Sequence, residues 1–346
     1  MISTLLIKYK WIIAFITSLI ILKIISWVRN KINSDIEKRF SSPEEKAKVS
    51  VDLFGRFVQV RPAQFVFDSP ERFYPYLFNK FNRYVIAHQF KKSNREIRFV
   101  FEAFPNLIHL KEKDIEPMKI KFGVSGGRKI VEMDLNDNFS NLRLIGTMGI
   151  GKSNIAKILT QQVSNAFNVV IVSTKISDFS DFKNQGIELL NPNNDSDLER
   201  LLSLTNELKT KIVSEENCRT WIILDEAIKD LMVHGYEVKK PREKIKETIV
   251  ENINYFLSLG RKFKLFLLIN TQDENIKNEA KLDLGKIGNV ISGRITNQAS
   301  ADLYGIPIGI AQRRDLTNGK LIFATQGNRE CFVFKSYLYK PKETQK

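Results

Sequence analysis

Six short apolar runs punctuate the chain beyond residue 121: LRLI at 142–145, VVIV at 169–172, WIIL at 221–224, LFLLI at 265–269, VIS at 290–292 and KLIF at 320–323. Each is too short for a helix and lacks apolar–polar alternation, so each reads as a strand buried on both faces. Stretches of helical periodicity separate them. Within 245–259, Ile245, Ile249, Ile253, Phe256 and Leu259 fall on one face. Buried strands alternating with amphipathic helices predict an α/β fold over residues 121–340, a mainly parallel sheet with helices on both sides.

The N-terminal pattern differs. Residues 11–28, WIIAFITSLIILKIISWV, are apolar except Thr17, Ser18, Lys23 and Ser26. At ~1.5 Å per residue the run reaches ~27 Å, enough for a bilayer core. Trp11 and Trp27 sit at its ends, where amphipathic rings favour headgroups. Lys8 and Lys10 precede it, and Arg29, Lys31, Lys38 and Arg39 follow. The expectation is a single-pass anchor within 1–30, with the larger part of the chain in the cytoplasm. A cleaved signal peptide fits less well, since SWVRNKI offers no small-residue cleavage site; a buried core helix is the other alternative.

Residues 31–50 are polar, of mixed charge and contain Ser-Ser-Pro, which reads as a juxtamembrane linker. From 51 to 120 the chain is rich in aromatics and basic, and RFVQV and IRFVFEAF look like strands of a small α/β subdomain. Its cluster Lys91, Lys92, Arg95 and Arg98 suits DNA or lipid headgroups, or is a solvated face. Residues 341–346 form a tail.

Charge sharpens the picture. Among 346 residues, 54 Lys and Arg against 39 Asp and Glu leave +15, which favours an anionic partner. The two cysteines, Cys218 and Cys331, exclude a disulfide scaffold and a thiolate metal site. His88, His109 and His234 lack the spacing of metal ligands.

The chemistry lies at the ends of the apolar runs. Gly146-Thr147-Met148-Gly149-Ile150-Gly151-Lys152-Ser153 matches G-x-x-x-x-G-K-[ST], between the strand LRLI and a helix beginning SNIAK. Glycines let successive backbone N–H groups and the helix start converge on phosphate oxygens. Lys152 adds a charge at the β- and γ-phosphates, and the Ser153 hydroxyl can ligate Mg²⁺. WIIL runs into Asp225 and Glu226, where Asp225 would hold the metal through water and Glu226 would polarise attacking water. LFLLI runs into Asn270-Thr271-Gln272; Gln272, or alternatively Asn270, would sense the γ-phosphate, unless it merely caps the strand. With no N-K-x-D base-reading segment, ATP is favoured over GTP, and the acidic pair points to water as acceptor.

These motifs, in this order, resemble the motor domain of the FtsK/SpoIIIE family of DNA translocases over roughly 120–335. FGVSGGRKIVEMDLNDNFSNLRLIGTMGIGKSN resembles its entry hairpin, "DL" strand and phosphate loop, including Asn154 after Ser153. WIILDEA resembles its second nucleotide motif, and GRKFKLFLLINTQ its R-x-x-x-x-h-h-h-h-A-T-Q stretch, with Arg261 and Gln272 in matching places. GRITNQASADLYG places Arg294 on a commonly basic position, and NGKLIF resembles the final strand. Ile150 departs from the family's small residue. The resemblance implies a membrane-tethered hexameric ring that pumps DNA, most like coupling proteins of Gram-positive conjugative elements, working with a relaxase and secretion-channel proteins. It also implies an arginine completing the neighbouring subunit's site, with Arg261 and Arg294 as candidates and Arg313 and Arg314 as outsiders. Related motors drive protein export; these often carry several motor modules in tandem, and the single module here favours DNA.

Overall fold

The computed structural model describes residues 23, 25–41, 47–51, 57–61, 74–81, 84–91, 96–105, 108–135, 141–232, 240–272, 282–317, 319–325 and 331–341. Among them no helix is long and apolar enough to cross a membrane; residues 11–22 and 24 of the expected anchor lie outside the described set. Contacts divide the chain into two compact units, Met1–Ala103 and Phe104–Lys346.

In the first unit, strands β1 (Lys48–Val51), β2 (Phe57–Arg61), β3 (Val85–Lys91) and β4 (Glu96–Phe101) form an antiparallel sheet in the order β1-β2-β4-β3. The strand-like segments of the sequence supply β2 and β4, which pair with Val58 opposite Phe99. Alternation turns Val58, Val60, Ile97, Phe99 and Phe101 inward. Helix α1 (25–40) and helix α2 (Tyr74–Phe81) add Ile36, Phe40 and Leu77 to the same core. The stretch expected as a linker is therefore part of this unit. Ile32, Ile36 and Phe40 recur every fourth residue, which gives a polar helix a narrow inward stripe. Nearer its start, Ile25, Trp27 and Val28 are exposed. Of the basic cluster, Lys92 and Arg95 lie outside the described residues.

The second unit contains β5 (Lys119–Ser125), β6 (Ile130–Asp134), β7 (Leu142–Ile145), β8 (Asn168–Ser173), β9 (Glu188–Leu190), β10 (Thr220–Asp225), β11 (Leu265–Thr271), β12 (Asn289–Ser292), β13 (Lys320–Thr325) and β14 (Cys331–Ser336). They form one ten-stranded sheet, β6-β5-β14-β13-β12-β7-β11-β10-β8-β9. Neighbours from β12 to β9 are parallel; those from β12 outward to β6 are antiparallel. All six apolar runs are strands. KLIF departs from the parallel reading, because β13 runs against β12. Leu321 and Phe323 are buried on one face and Ile322 and Ala324 on the other, so its sequence carries no sign of direction. Residues after 103 already belong here: His109 bridges to Leu338, and the carbonyl of Asp114 accepts from Lys121 Nζ.

The central strands are buried on both sides, as their composition predicts. Val169, Ile171, Trp221, Ile223, Phe266 and Leu268 share a core with helix α3 (Lys152–Val163). Val170, Val172, Ile222, Leu224, Leu267 and Ile269 share the opposite core with α4 (Asp195–Val213) and α5 (Pro241–Leu259). Each such side chain contributes about 1.5–3 kcal/mol over exposure. In α5 the inward face carries Ile249, Ile253 and Phe256 as expected, but Leu259 is exposed at the last turn and Leu257 is buried instead.

After β7 the chain crosses through α3 to β8, leaving β11 and β10 between, while β12 takes the other side of β7. The carboxyl end of β7 is thus the switch point of the parallel strands, where a crevice forms.

Candidate active site

The turn from β7 to α3 is GTMGIG. Gly146, Gly149 and Gly151 have φ of 144°, 79° and 108°, a region in which a Cβ costs roughly 1–2 kcal/mol. As the residue before α3, Gly151 brings no capping side chain, and no acid follows in the first turn. The N–H groups of that turn therefore lack side-chain acceptors, and the helix dipole adds positive potential. Lys152 is 7% exposed. Its ammonium donates to the carbonyls of Gly146 (2.6 Å) and Thr147 (3.1 Å). Burial pushes its pKa down, Glu226 and Asp225 oppose this, and Lys175 reinforces it. A partly desolvated ammonium beside open N–H groups is a strong ligand for phosphate.

Other loop residues divide their roles. Ser153 is half-buried in the first turn of α3, while Thr147 and Met148 are exposed. Ile150 is buried against the glycine following β12: a Cβ on Gly293 would come within 1.8 Å of its Cδ1. A large residue is accommodated at position 150 because position 293 has no side chain. Asn154, expected at the nucleotide, has its amide committed to the C-terminal segment. Its Nδ2 donates to the Tyr337 carbonyl at 2.7 Å, and its Oδ1 accepts from the Tyr339 N–H at 2.8 Å.

The two acids have different surroundings. Asp225 ends β10 in register with Ser173 of β8 and Asn270 of β11. Ser173 Oγ donates to its Oδ2 at 3.2 Å, and Asn270 Nδ2 donates to its Oδ1. It is 1% exposed. Burial raises its pKa, and the two neutral donors only partly offset that. Glu226 sits in the left-handed region at φ 55°, a conformation worth roughly 1–3 kcal/mol of strain that clusters at functional sites. Its carboxylate accepts from Lys175 Nζ at 2.7 Å and from Gln272 Nε2. Burial pushes its pKa up, but the bonds from Lys175 and Gln272, with the charges of Lys175 and Lys152, hold it below the ordinary value.

Gln272 therefore lies on Glu226, and Asn270, its competitor, on Asp225. Because β11 intervenes between β7 and β10, Asp225 stands two strand spacings, about 9.5 Å, from the loop's strand. That gap suits a phosphate and a hydrated cation. In the middle strand the buried Asn270 Oδ1 has no hydrogen-bond partner, leaving an acceptor beside the gap. Among the described residues no cluster of three or more His, Cys, Asp or Glu could hold a metal by itself. Mg²⁺ needs only one or two protein oxygens beside substrate phosphates, and Ser153 with Asp225 would be that donor set.

The arginines are spread apart. Arg261 lies in the turn Gly260–Phe263 before β11, at the amino edge of the sheet and about 20 Å along the strand from its carboxyl end. Arg294 is exposed two residues past β12, on the edge that carries the loop. Arg313, an outside candidate, is buried and forks onto Asp315 at 3.0 and 2.8 Å. Sequence reading missed Ser173 and Lys175; the signal was VVIVSTK, a third apolar run ending in polar residues like its two neighbours. It also missed Asn141, whose Oδ1 accepts from the Leu267 N–H and clamps β11 beside β7.

No protein-family model matches the chain, and no curated protein matches it. Solved structures do. The pCW3 conjugation coupling protein TcpA, in a monomer form with ATPγS, matches with a TM-score of 0.57 at 17% identity, over 90% of this chain and 96% of that one. The chain shares the fold of that structure. EccC of Thermomonospora curvata (ATPases 2 and 3, in complex with a signal sequence peptide) gives a TM-score of 0.51 at 12% identity, over 68% of this chain and 44% of that one. The likeness read from the motif series is thus borne out at the level of the fold, with the loop Gly146–Ser153 at the switch point of its parallel strands.

Proposed function

We propose that the chain is a membrane-tethered ATPase that converts ATP hydrolysis into DNA movement during conjugative transfer. The observation that carries this reading is the set Lys152, Asp225 and Glu226, arranged across β11 in a fold that matches TcpA over 90% of this chain. Lys152 and the first-turn N–H groups of α3 bind the β- and γ-phosphates. Ser153 and Asp225, the latter through water, would hold Mg²⁺, which neutralises phosphate charge when bound. Glu226 takes a proton from the attacking water, and Gln272 fixes its carboxylate.

The net charge of +15 supports a polyanionic substrate. A homohexameric ring would bring Arg261 or Arg294 of one subunit to the next subunit's phosphate. The apolar run 11–28 and exposed Ile25, Trp27 and Val28 support a tether to membrane lipid, with the ATPase unit cytoplasmic. A relaxase and channel proteins are the expected partners.

The test is the ATPase rate of the detergent-solubilised full chain with and without duplex DNA. Stimulation is expected, fading between about 50 and 200 mM salt as phosphate contacts are screened. A rate indifferent to DNA but raised by a signal-type peptide would replace this reading with protein export.

A further inference from the structure

Lys175 follows the carboxyl end of β8, the third polar strand end at the site. Its amide donates to Ser173 Oγ at 3.0 Å, so its backbone is tied to the group that holds Asp225. Ser173, Asp225 and Asn270 are all at most 1% exposed and cross-bonded. The side chains of Lys175 and Glu226 are different, 47% and 21% exposed, and joined to each other at 2.7 Å. Beside that buried frame the pair has room to rearrange, and lysine has four side-chain torsions with which to do so.

The ammonium also belongs to the phosphate gap. Its charge reaches Lys152, Asp225 and Asp178 as well as Glu226. Lys152 donates to the loop carbonyls on one side, and Lys175 donates to Glu226 on the acidic side. A carboxylate held in an ion pair is a poor proton acceptor, so Glu226 must be released before it can act on water. A terminal phosphoryl group, with more charge and three oxygens, competes well for the same ammonium.

We propose that Lys175 changes partners during the cycle, holding Glu226 as seen here until a nucleoside triphosphate binds, then moving to its terminal phosphate and freeing the carboxylate. Lys175 is thus a positioning residue for Glu226 and a sensor of triphosphate over diphosphate. This rests on the ATPase reading.

The test compares ATPγS and ADP binding by calorimetry in the full-length wild type, Lys175→Met and Lys175→Arg, alongside acylation of Lys175 followed by mass spectrometry. Lys175→Met is expected to lose about tenfold of its preference for ATPγS over ADP, at unchanged ADP affinity. Lys175→Arg keeps that preference, and in the wild type ATPγS but not ADP changes the acylation rate. An unchanged preference in Lys175→Met, an equal loss for both nucleotides, or identical acylation under both would overturn the exchange. A wild type that binds neither nucleotide would instead remove the ATPase reading, and the exchange with it.

Discussion

Two helix starts and two aspartates in the second unit show one contrast. Helix α4 begins with Asn194, whose Oδ1 accepts from the Ser196 N–H at 2.9 Å, and Asp195 and Asp197 complement its dipole. Helix α3 begins with glycine and has neither. Likewise, burial raises both Asp225 and Asp315, but Arg313 and Lys320 bring Asp315 down to about 2, whereas Asp225 meets only neutral donors and stays raised. At α4 and Asp315 the chain supplies its own counter-groups. At the switch point a helix start without a capping side chain and a carboxylate held only by neutral donors follow strands on either side of β11, which supports the proposed phosphate and metal site.

The sharpest way to break the contrast is Glu226→Gln. Turnover should fall by about a thousandfold, within the range for a general base, while ATPγS affinity stays near wild type; near-normal turnover would remove Glu226 from the chemistry. Lys152→Ala comes next. Nucleotide affinity should drop on the order of a hundredfold with Tm nearly unchanged, since its ammonium bonds only loop carbonyls at 2.6 and 3.1 Å; a large loss of Tm would make it a structural residue. Asn194→Ala should do the reverse, costing about 1 kcal/mol and roughly 2–4 °C of Tm without touching nucleotide binding.

A last contrast concerns Asp315. A carboxyl depressed to about 2 from 3.8 adds stability that is fully present above 3.8 and lost as pH falls through 2. The Tm gap between wild type and Asp315→Asn should be constant from pH 5 to 7 and shrink below pH 4. A gap independent of pH would mean that Arg313 and Lys320 do not hold this charge.

Much of the switch point was legible because its residues end apolar runs: the loop Gly146–Ser153, Asp225-Glu226 and Asn270-Thr271-Gln272 each follow a fully buried strand. What escaped needed pairing information. Ser173 and Lys175 matter because β8 lies beside β10, and strand order is not written in β8 itself. The antiparallel direction of β13 and the commitment of Asn154 to Tyr337 and Tyr339 are likewise long-range. The first unit was read as α/β from two strands, but Ile32, Ile36 and Phe40 were too sparse among charged neighbours to show that α1 enters its core.

The amide of Asn154 grips both sides of one peptide stretch, at Tyr337 and Tyr339, from the opening turn of the phosphate-bearing helix. Lys157, one turn further on, lies 5.4 Å from the Tyr339 ring. Helix and segment are thus pinned together at three points, so a shift of the helix start would be carried to residues 337–339, as a crank turns its rod.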